Sequence, residues 1–356
     1  MEEIIAFNRG VPPAESFPKE QLAESARRVI LKEGDQILQY GSAMGYLPLR
    51  EYIAAQFGAK PEQVIIGQGS LQLLDTYIKT SLQPGDDVFV EQPVYDRVLT
   101  LFKRGGINLS GFMLHNGSVS PEEIESSLRK GDIPKALYVI PDFQNPSGAE
   151  MPLETRRKLV NFARQYNFLL IEDSAYRRLR YDGQELPRLY DLDPEHVLHM
   201  SSFSKIISPG IRVGYMIGRK DVISTLSNYA ENTYINTSYI NQAIIIDFIQ
   251  QGWINKHVDF LKTLYSERLE KALESLAHHM SGLATWLTPK GGFFIGLFLI
   301  NGKSQPAAQT LKENGLMLVD GEQFFINGGR DFIRLPFAST TPEKIELGVK
   351  KLAALM

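Results

Sequence analysis

The sequence predicts an α/β fold: a large domain built on a mostly parallel seven-stranded sheet flanked by helices, joined to a smaller α+β domain. Three observations predict it. Short apolar runs alternate with amphipathic stretches from Gln63 to Gly218. That alternation stops after Lys220, where long helical patterns lead into a second group of strands. A length of 356 residues also exceeds one ordinary domain.

The opening segment GVPPAESFP is rich in proline, which locks φ and removes backbone donors, so it reads as an extended arm crossing the surface. Seven strand candidates follow: QVIIG (63–67), DVFVEQ (87–92), INLSGFML (107–114), ALYVIP (136–141), FLLIED (168–173), VLHMSSF (197–203) and RVGYMIG (212–218). Between them, the stretches 70–82, 121–130 and 152–166 have helical spacing. The last two open on proline, whose missing N–H costs nothing in a first turn. Strand and helix in alternation imply parallel strands covered on both faces. Beyond Lys220, helical patterns at 221–230, 238–250 and 254–278 precede the strands GFFIGLFL (292–299), LMLVDG (316–321) and FIRLPF (332–337), and a helix closes the chain from Pro342. We assign the arm and part of the small domain to residues 1–35, the large domain to 36–245 and the small domain to 246–356.

Composition excludes several function classes. The chain is 43% apolar and 22% charged, with a net charge of −3 and no broad basic face, so nucleic-acid binding is not expected. It has no cysteine, which removes disulfides, thiolate zinc sites and cysteine nucleophiles. The N-terminus MEEIIAFNRGVPP lacks a basic or apolar leader and no apolar run reaches membrane-spanning length, so the cytoplasm is the expected location, with no membrane partner. The pairs His196/His199 and His278/His279 lack a third ligand nearby, and no metal is expected.

Ligands of open parallel sheets bind beyond the carboxyl ends of the strands, so the polar residues that follow each strand candidate carry the functional argument. Gly67-Gln68-Gly69-Ser70 runs from a strand directly into a helix. It is either a plain turn or a cradle whose free N–H groups meet a phosphate. It has neither the Walker lysine nor the dinucleotide glycine pattern. Asn145-Pro146-Ser147-Gly148 is a turn signal that also leaves the Asn145 amide free to reach a ligand. Asp173 ends a strand three residues before Tyr176. It reads as a helix N-cap, or as a carboxylate meeting a cationic ligand atom, since an unpaired buried charge is costly. Lys205 lies among Ser201, Ser202, Ser204 and Ser208, seven residues before Arg212. An isolated lysine is usually a solvated group, but one held in such a place can lose its proton and attack a carbonyl.

These pieces together resemble the fold-type I pyridoxal-5′-phosphate (PLP) aminotransferases of the class I/II superfamily. The branch is that of the 2-aminoadipate and kynurenine aminotransferases and the aminotransferase-like domains of MocR-type transcription regulators. The resemblance covers essentially the whole chain. It rests on the ordered set Tyr40-Gly41, Gly69-Ser70, Pro93-x-Tyr95, Asn145-Pro146-x-Gly148, Asp173-x-x-Tyr176, Ser202-x-Ser204-Lys205 and Arg212-x-Gly214.

The resemblance implies a role for each position. Lys205 is the Schiff-base lysine that also shuttles the proton, and Asp173 pairs with the pyridine nitrogen. Asn145 and Tyr176 donate to the ring hydroxyl oxygen, and Tyr95 stacks on the ring. The backbone of Gly69, Ser70 and Leu71, the Ser202 hydroxyl and Arg212 form the phosphate cup, with Ser204 as a further member. Many relatives carry a polar residue where this chain has Leu71, so only the backbone N–H would serve there. Arg334, flanked by five apolar residues in Phe332-Ile333-Arg334-Leu335-Pro336-Phe337, matches the clamp for the substrate carboxylate. Asn145 and the segment around Gly45-Tyr46 join the substrate pocket with the arm. Tyr40 resembles the tyrosine that reaches the phosphate of a neighbouring subunit, which implies a homodimer with shared active sites.

The implied activity is ping-pong transfer of an amino group between an L-amino acid, aromatic or medium aliphatic, and a 2-oxo acid. Two alternatives share the fold: a PLP lyase, and the ligand-sensing domain of a MocR-type regulator. The chain opens on the arm without a basic helical domain ahead of it, so a free enzyme is the expectation.

Overall fold

A computed structural model of the protein describes residues 4–356. Its main sheet orders the strands Val64–Gly67, Gly214–Ile217, Val197–Ser202, Leu169–Asp173, Ala136–Val139, Asp87–Gln92, Asn108–His115 and Ser118–Val119 from one edge to the other. The first seven match the seven apolar runs. The eighth is an addition: Ser118–Val119 folds back on Asn108–His115 through Asn116-Gly117, and both turn residues have the positive φ of a tight hairpin (51° and 85°).

Four neighbouring pairs run parallel, while Gly214–Ile217 is antiparallel to both of its neighbours. The chain between Ser202 and Gly214 holds only two short 3-10 turns, too little for the helical crossover that a parallel pair requires. Lys205 and Arg212 share that connection, at the carboxyl end of Val197–Ser202. The central strands are buried on both faces and pack alternately into two cores, while Asn108–His115 near the edge is largely exposed. Val64, Ile66, Leu137 and Val139 lie in one, and Ile65, Val88, Val90 and Tyr138 in the other.

From Asp87–Gln92 the chain passes to one side to form Asn108–His115, then returns to the other side to form Ala136–Val139. This reversal opens a crevice beyond the strand ends, the position where doubly wound sheets bind ligands. Below it, Asp142 is held by Arg156 at 2.7 Å and Arg177 at 2.9 Å. Burial alone would raise the Asp142 carboxyl, but the two guanidinium groups hold it below its ordinary value.

After Lys220, the helices Lys220–Thr233, Tyr239–Gln250 and Trp253–His279 lead into an antiparallel sheet of Ala284–Trp286, Phe294–Leu299 and Phe332–Pro336, and Pro342–Ala354 packs back on Trp253–His279. Two long-range features have no counterpart in the sequence reading. Ile5–Phe7 pairs in parallel with Leu316–Leu318, and the helix Lys19–Ile37 packs on Tyr239–Gln250. Among the described residues no helix is long and apolar enough to cross a membrane.

Candidate active site

The strand Val64–Gly67 delivers the chain to Gly69, the N-cap of the helix Ser70–Ser81. Gly69 has φ +92°, and a Cβ there would lie 2.9 Å from the Arg212 guanidinium. A Cβ on Gly214 would collide with the Ser70 nitrogen. Only glycine at both positions lets the helix start, the adjacent strand and the arginine close together. Arg212 itself takes a left-handed φ of 51°, a cost of roughly 1 kcal/mol or more for a non-glycine residue. Its fork donates to the carbonyls of Gln68 (2.6 Å) and Pro209 (3.3 Å). Ser202 Oγ accepts from the Ser204 amide at 3.1 Å and donates to Ser204 Oγ at 2.8 Å. A helix N-terminus, a guanidinium and two hydroxyls in one cup suit a dianionic oxygen group.

Across from the cup, Asp173 accepts from the Tyr138 phenol at 2.8 Å and from the Ala175 amide at 3.3 Å. Both readings of this residue therefore hold a part of the truth, since it caps a turn and also faces the crevice. Burial pushes its carboxyl up to about 6, against the pull of these two hydrogen bonds and of His199 and Lys205. Tyr176 is buried against Phe293 and Phe294, and burial raises its phenol, while the Asn145 side chain acts in the opposite direction.

Lys205 ends the 3-10 turn Phe203–Lys205, and its Nζ donates to the carbonyl of Gly10 at 2.9 Å. Burial and the charge of Arg334 lower the amine to about 8, with Asp173 opposing them. Arg334 sits in the strand Phe332–Pro336 with its guanidinium between the rings of Phe294 (4.8 Å) and Phe324 (4.7 Å). It donates to Asn145 Oδ1 and to the carbonyl of Asn8, both at 3.1 Å, and its buried Nε has no protein partner. Such a group is completed by an anion.

Gly69, Ser70, Leu71, Tyr95, Asn145, Asp173, Tyr176, Ser202, Ser204, Lys205 and Arg212 line one cavity of about 170 Å³, together with Ile140, Ala175 and Pro209. Arg334 adjoins it through Asn145. Two expected residues lie elsewhere. Tyr40 is 76% exposed at the surface. Gly45 has φ +102° and packs against Ile66 and Gln242, where a Cβ would fall within 2.8 Å of either side chain.

His199 faces the buried Glu172 at 2.8 Å and His196 faces Asp193 at 2.9 Å. Among the described residues no group of three potential metal ligands occurs. Sequence reasoning missed Tyr138, the arm carbonyls of Asn8 and Gly10, and the rings that hold Arg334. A phenol inside the apolar run ALYVIP was the one signal available for any of them.

The cavity has an anion-binding end, a carboxylate at the other end, an aromatic residue in its wall and an amine between. That donor set fits PLP, whose phosphate, ring nitrogen and aldehyde call for those three groups. The model of the family "Aminotransferase class I and II" matches residues 2–352. The 2-aminoadipate transaminase of Thermus thermophilus is 32% identical, with 98% of this chain and 89% of that protein covered. Aromatic-amino-acid aminotransferase 1 of Thermococcus litoralis is 30% identical, with 99% and 87% covered. The solved structure of alpha-aminoadipate aminotransferase from Thermus thermophilus, complexed with N-(5'-phosphopyridoxyl)-L-leucine, superposes with a TM-score of 0.94 at 30% identity, covering 99% of this chain and 92% of that one.

Proposed function

Because this chain belongs to the class I and II aminotransferases, PLP-dependent transaminases, we propose that Lys205, Asp173 and Arg334 carry its reaction and that its substrates are amino acids with aromatic or medium aliphatic side chains. The observation that carries the site assignment is the single cavity in which the Lys205 amine, the Asp173 carboxylate and the helix start at Ser70 converge.

Bound there, PLP supplies an aldehyde that condenses with amines and a ring that takes up the electron pair left when the Cα–H bond breaks. The cup of Gly69, Ser70, Leu71, Ser202, Ser204 and Arg212 would hold its phosphate. Asp173 would pair with its ring nitrogen, Asn145 and Tyr176 would donate to its ring hydroxyl oxygen, and Tyr95 would pack against the ring. Arg334 exchanges the Asn8 carbonyl for the substrate α-carboxylate, gaining two parallel charge-assisted hydrogen bonds. The Lys205 amine, already lowered by burial, would accept the substrate Cα proton and hold it for return. In transamination the substrate's amino group would pass to the cofactor and water would supply the oxygen of the 2-oxo acid released, and a second oxo acid would take the amino group back.

The aromatic surroundings of Arg334 and the names of the relatives support the substrate class. The large exposed side chains of Leu31, Leu38 and Tyr40 support a homodimer in which Tyr40 reaches the partner's cup. A division into a large domain at 36–245 and a small domain at 246–356, with the arm and part of the small domain at 1–35, would give the cofactor cup to the first and the carboxylate clamp to the second, with Asn8 and Gly10 of the arm touching both.

The deciding experiment is an absorbance spectrum of the purified protein before and after addition of a panel of amino acids, with 2-oxo acid assayed in parallel. Loss of the yellow form together with release of oxo acid supports the reading and identifies the substrate. A protein that takes up no PLP at all would overturn it.

A further inference from the structure

Tyr138 is 0% exposed and does not line the cofactor cavity, yet its phenol donates to Asp173 Oδ2 at 2.8 Å. The two residues stand on neighbouring parallel strands. Tyr138 is paired in register with Ile171, and Asp173 lies two residues further along, so both point to the same face of the sheet. The carboxylate's other protein partner is the Ala175 amide, at a longer 3.3 Å.

We propose that Tyr138 is a positioning residue for Asp173, its phenol fixing the carboxylate in the orientation that faces the cofactor ring nitrogen. A carboxylate on a strand end could otherwise turn to cap the 174–176 turn with both oxygens. The short, fully buried O–H···O bond holds Oδ2 from below and leaves the rest of the group aimed into the cavity. It also favours the ionised state that burial opposes. The groups that face Asp173 from the other elements are Lys205 and His199, which favour its anion, and Glu91, Tyr95 and Tyr176, which border it. None of them replaces a donor at 2.8 Å.

This inference rests on Asp173 being the partner of the ring nitrogen, and the test separates the two. Tyr138→Phe, Asp173→Asn and the double variant are compared as holoenzymes, with melting temperatures recorded to confirm folding. Tyr138→Phe removes one oxygen and keeps the ring in place. It is expected to weaken retention of pyridoxamine 5′-phosphate on dilution by roughly 10- to 100-fold and to shift the pH midpoint of the visible absorbance. It should lower kcat while leaving KM for the amino acid unchanged. In the Asp173→Asn background the same change should add less than about twofold, because the two residues act as one unit. Unchanged retention and absorbance in Tyr138→Phe, or an equal penalty in both backgrounds, would overturn the proposal while leaving Asp173 in its role. A silent Asp173→Asn would overturn the site reading, and the proposal with it.

Discussion

Arg334 and Asn8, 326 residues apart in sequence, are joined by a 3.1 Å hydrogen bond from the guanidinium to the carbonyl. Two residues along the same arm, the Gly10 carbonyl accepts from Lys205 Nζ at 2.9 Å. The arm backbone therefore accepts a hydrogen bond from both the Arg334 guanidinium and the Lys205 amine, and a substrate must take its place at the first of them.

The tightness of that seat can be tested at Gly10, where a Cβ would fall 2.2 Å from two ring carbons of Phe294. Gly10→Ala should displace the arm and raise KM for the amino acid by about tenfold, a loss of about 1.4 kcal/mol, with cofactor content unchanged. Steady-state kinetics with matched absorbance spectra would show it. An unchanged KM would mean that the arm plays no part in substrate binding.

Lys205→Ala should lower turnover by at least about 1000-fold without unfolding the protein, since the amine both anchors the cofactor and moves the proton. In the wild type, the half-reaction rate should rise with pH through about 8, because only the neutral amine can accept the Cα proton and burial places its titration there. Single-turnover rates measured across that range test the sign.

Arg334→Lys keeps the charge and loses the planar fork that lies between Phe294 and Phe324. A fall of about 10- to 100-fold in kcat/KM is expected, with binding of PLP preserved. Equal activity in the variant would remove Arg334 from the carboxylate clamp.

Glu91 lies buried beneath the site, accepting from the Ile140 amide at 2.9 Å and from Gln144 Nε2 at 3.1 Å. Burial pushes its carboxyl up to about 8, with Asp173 adding to the shift. Because this folded-state value lies above the unfolded one, the stability it contributes is present below about pH 4.5 and is lost as pH rises towards 8. Glu91→Gln should flatten that decline and gain on the order of 2–4 kcal/mol relative to wild type near pH 9. Melting curves at pH 5 and pH 9 on both proteins test it, and parallel declines would refute it.

Arg156 is fully buried, and besides Asp142 it donates to the carbonyls of Met151, Pro187 and Pro141. Arg156→Met should destabilise the protein by about 2–4 kcal/mol, because it removes one of the two guanidinium groups that hold the buried Asp142 carboxylate and takes a donor from the Met151 and Pro187 carbonyls. Chemical denaturation would register this as a lower midpoint.

Most of the strands read from the sequence were legible because burial on both faces writes itself into composition. Runs such as VIIG and ALYV are apolar throughout and buried at every position. The polar residues just past those runs, from Gly69-Ser70 to Lys205 and Arg212, were legible for a related reason: a strand end fixes where the next few residues lie. Short-range turn chemistry could also have been read further, since Asn116-Gly117 marks the extra hairpin that was passed over.

The amino-acid order by itself therefore determined most of the sheet strands, their α/β alternation and the set of groups that meet at the strand ends, because each depends on neighbours within a few residues. Only the tertiary structure decided that Tyr138 donates to Asp173, that Phe294 and Phe324 enclose Arg334, and that Ile5–Phe7 pairs with Leu316–Leu318 and so lays the arm over Lys205. Those contacts join residues from 10 to 311 positions apart. No local pattern encodes them, because they form only when the packing of the sheet and the closing strands brings distant side chains within a few ångströms.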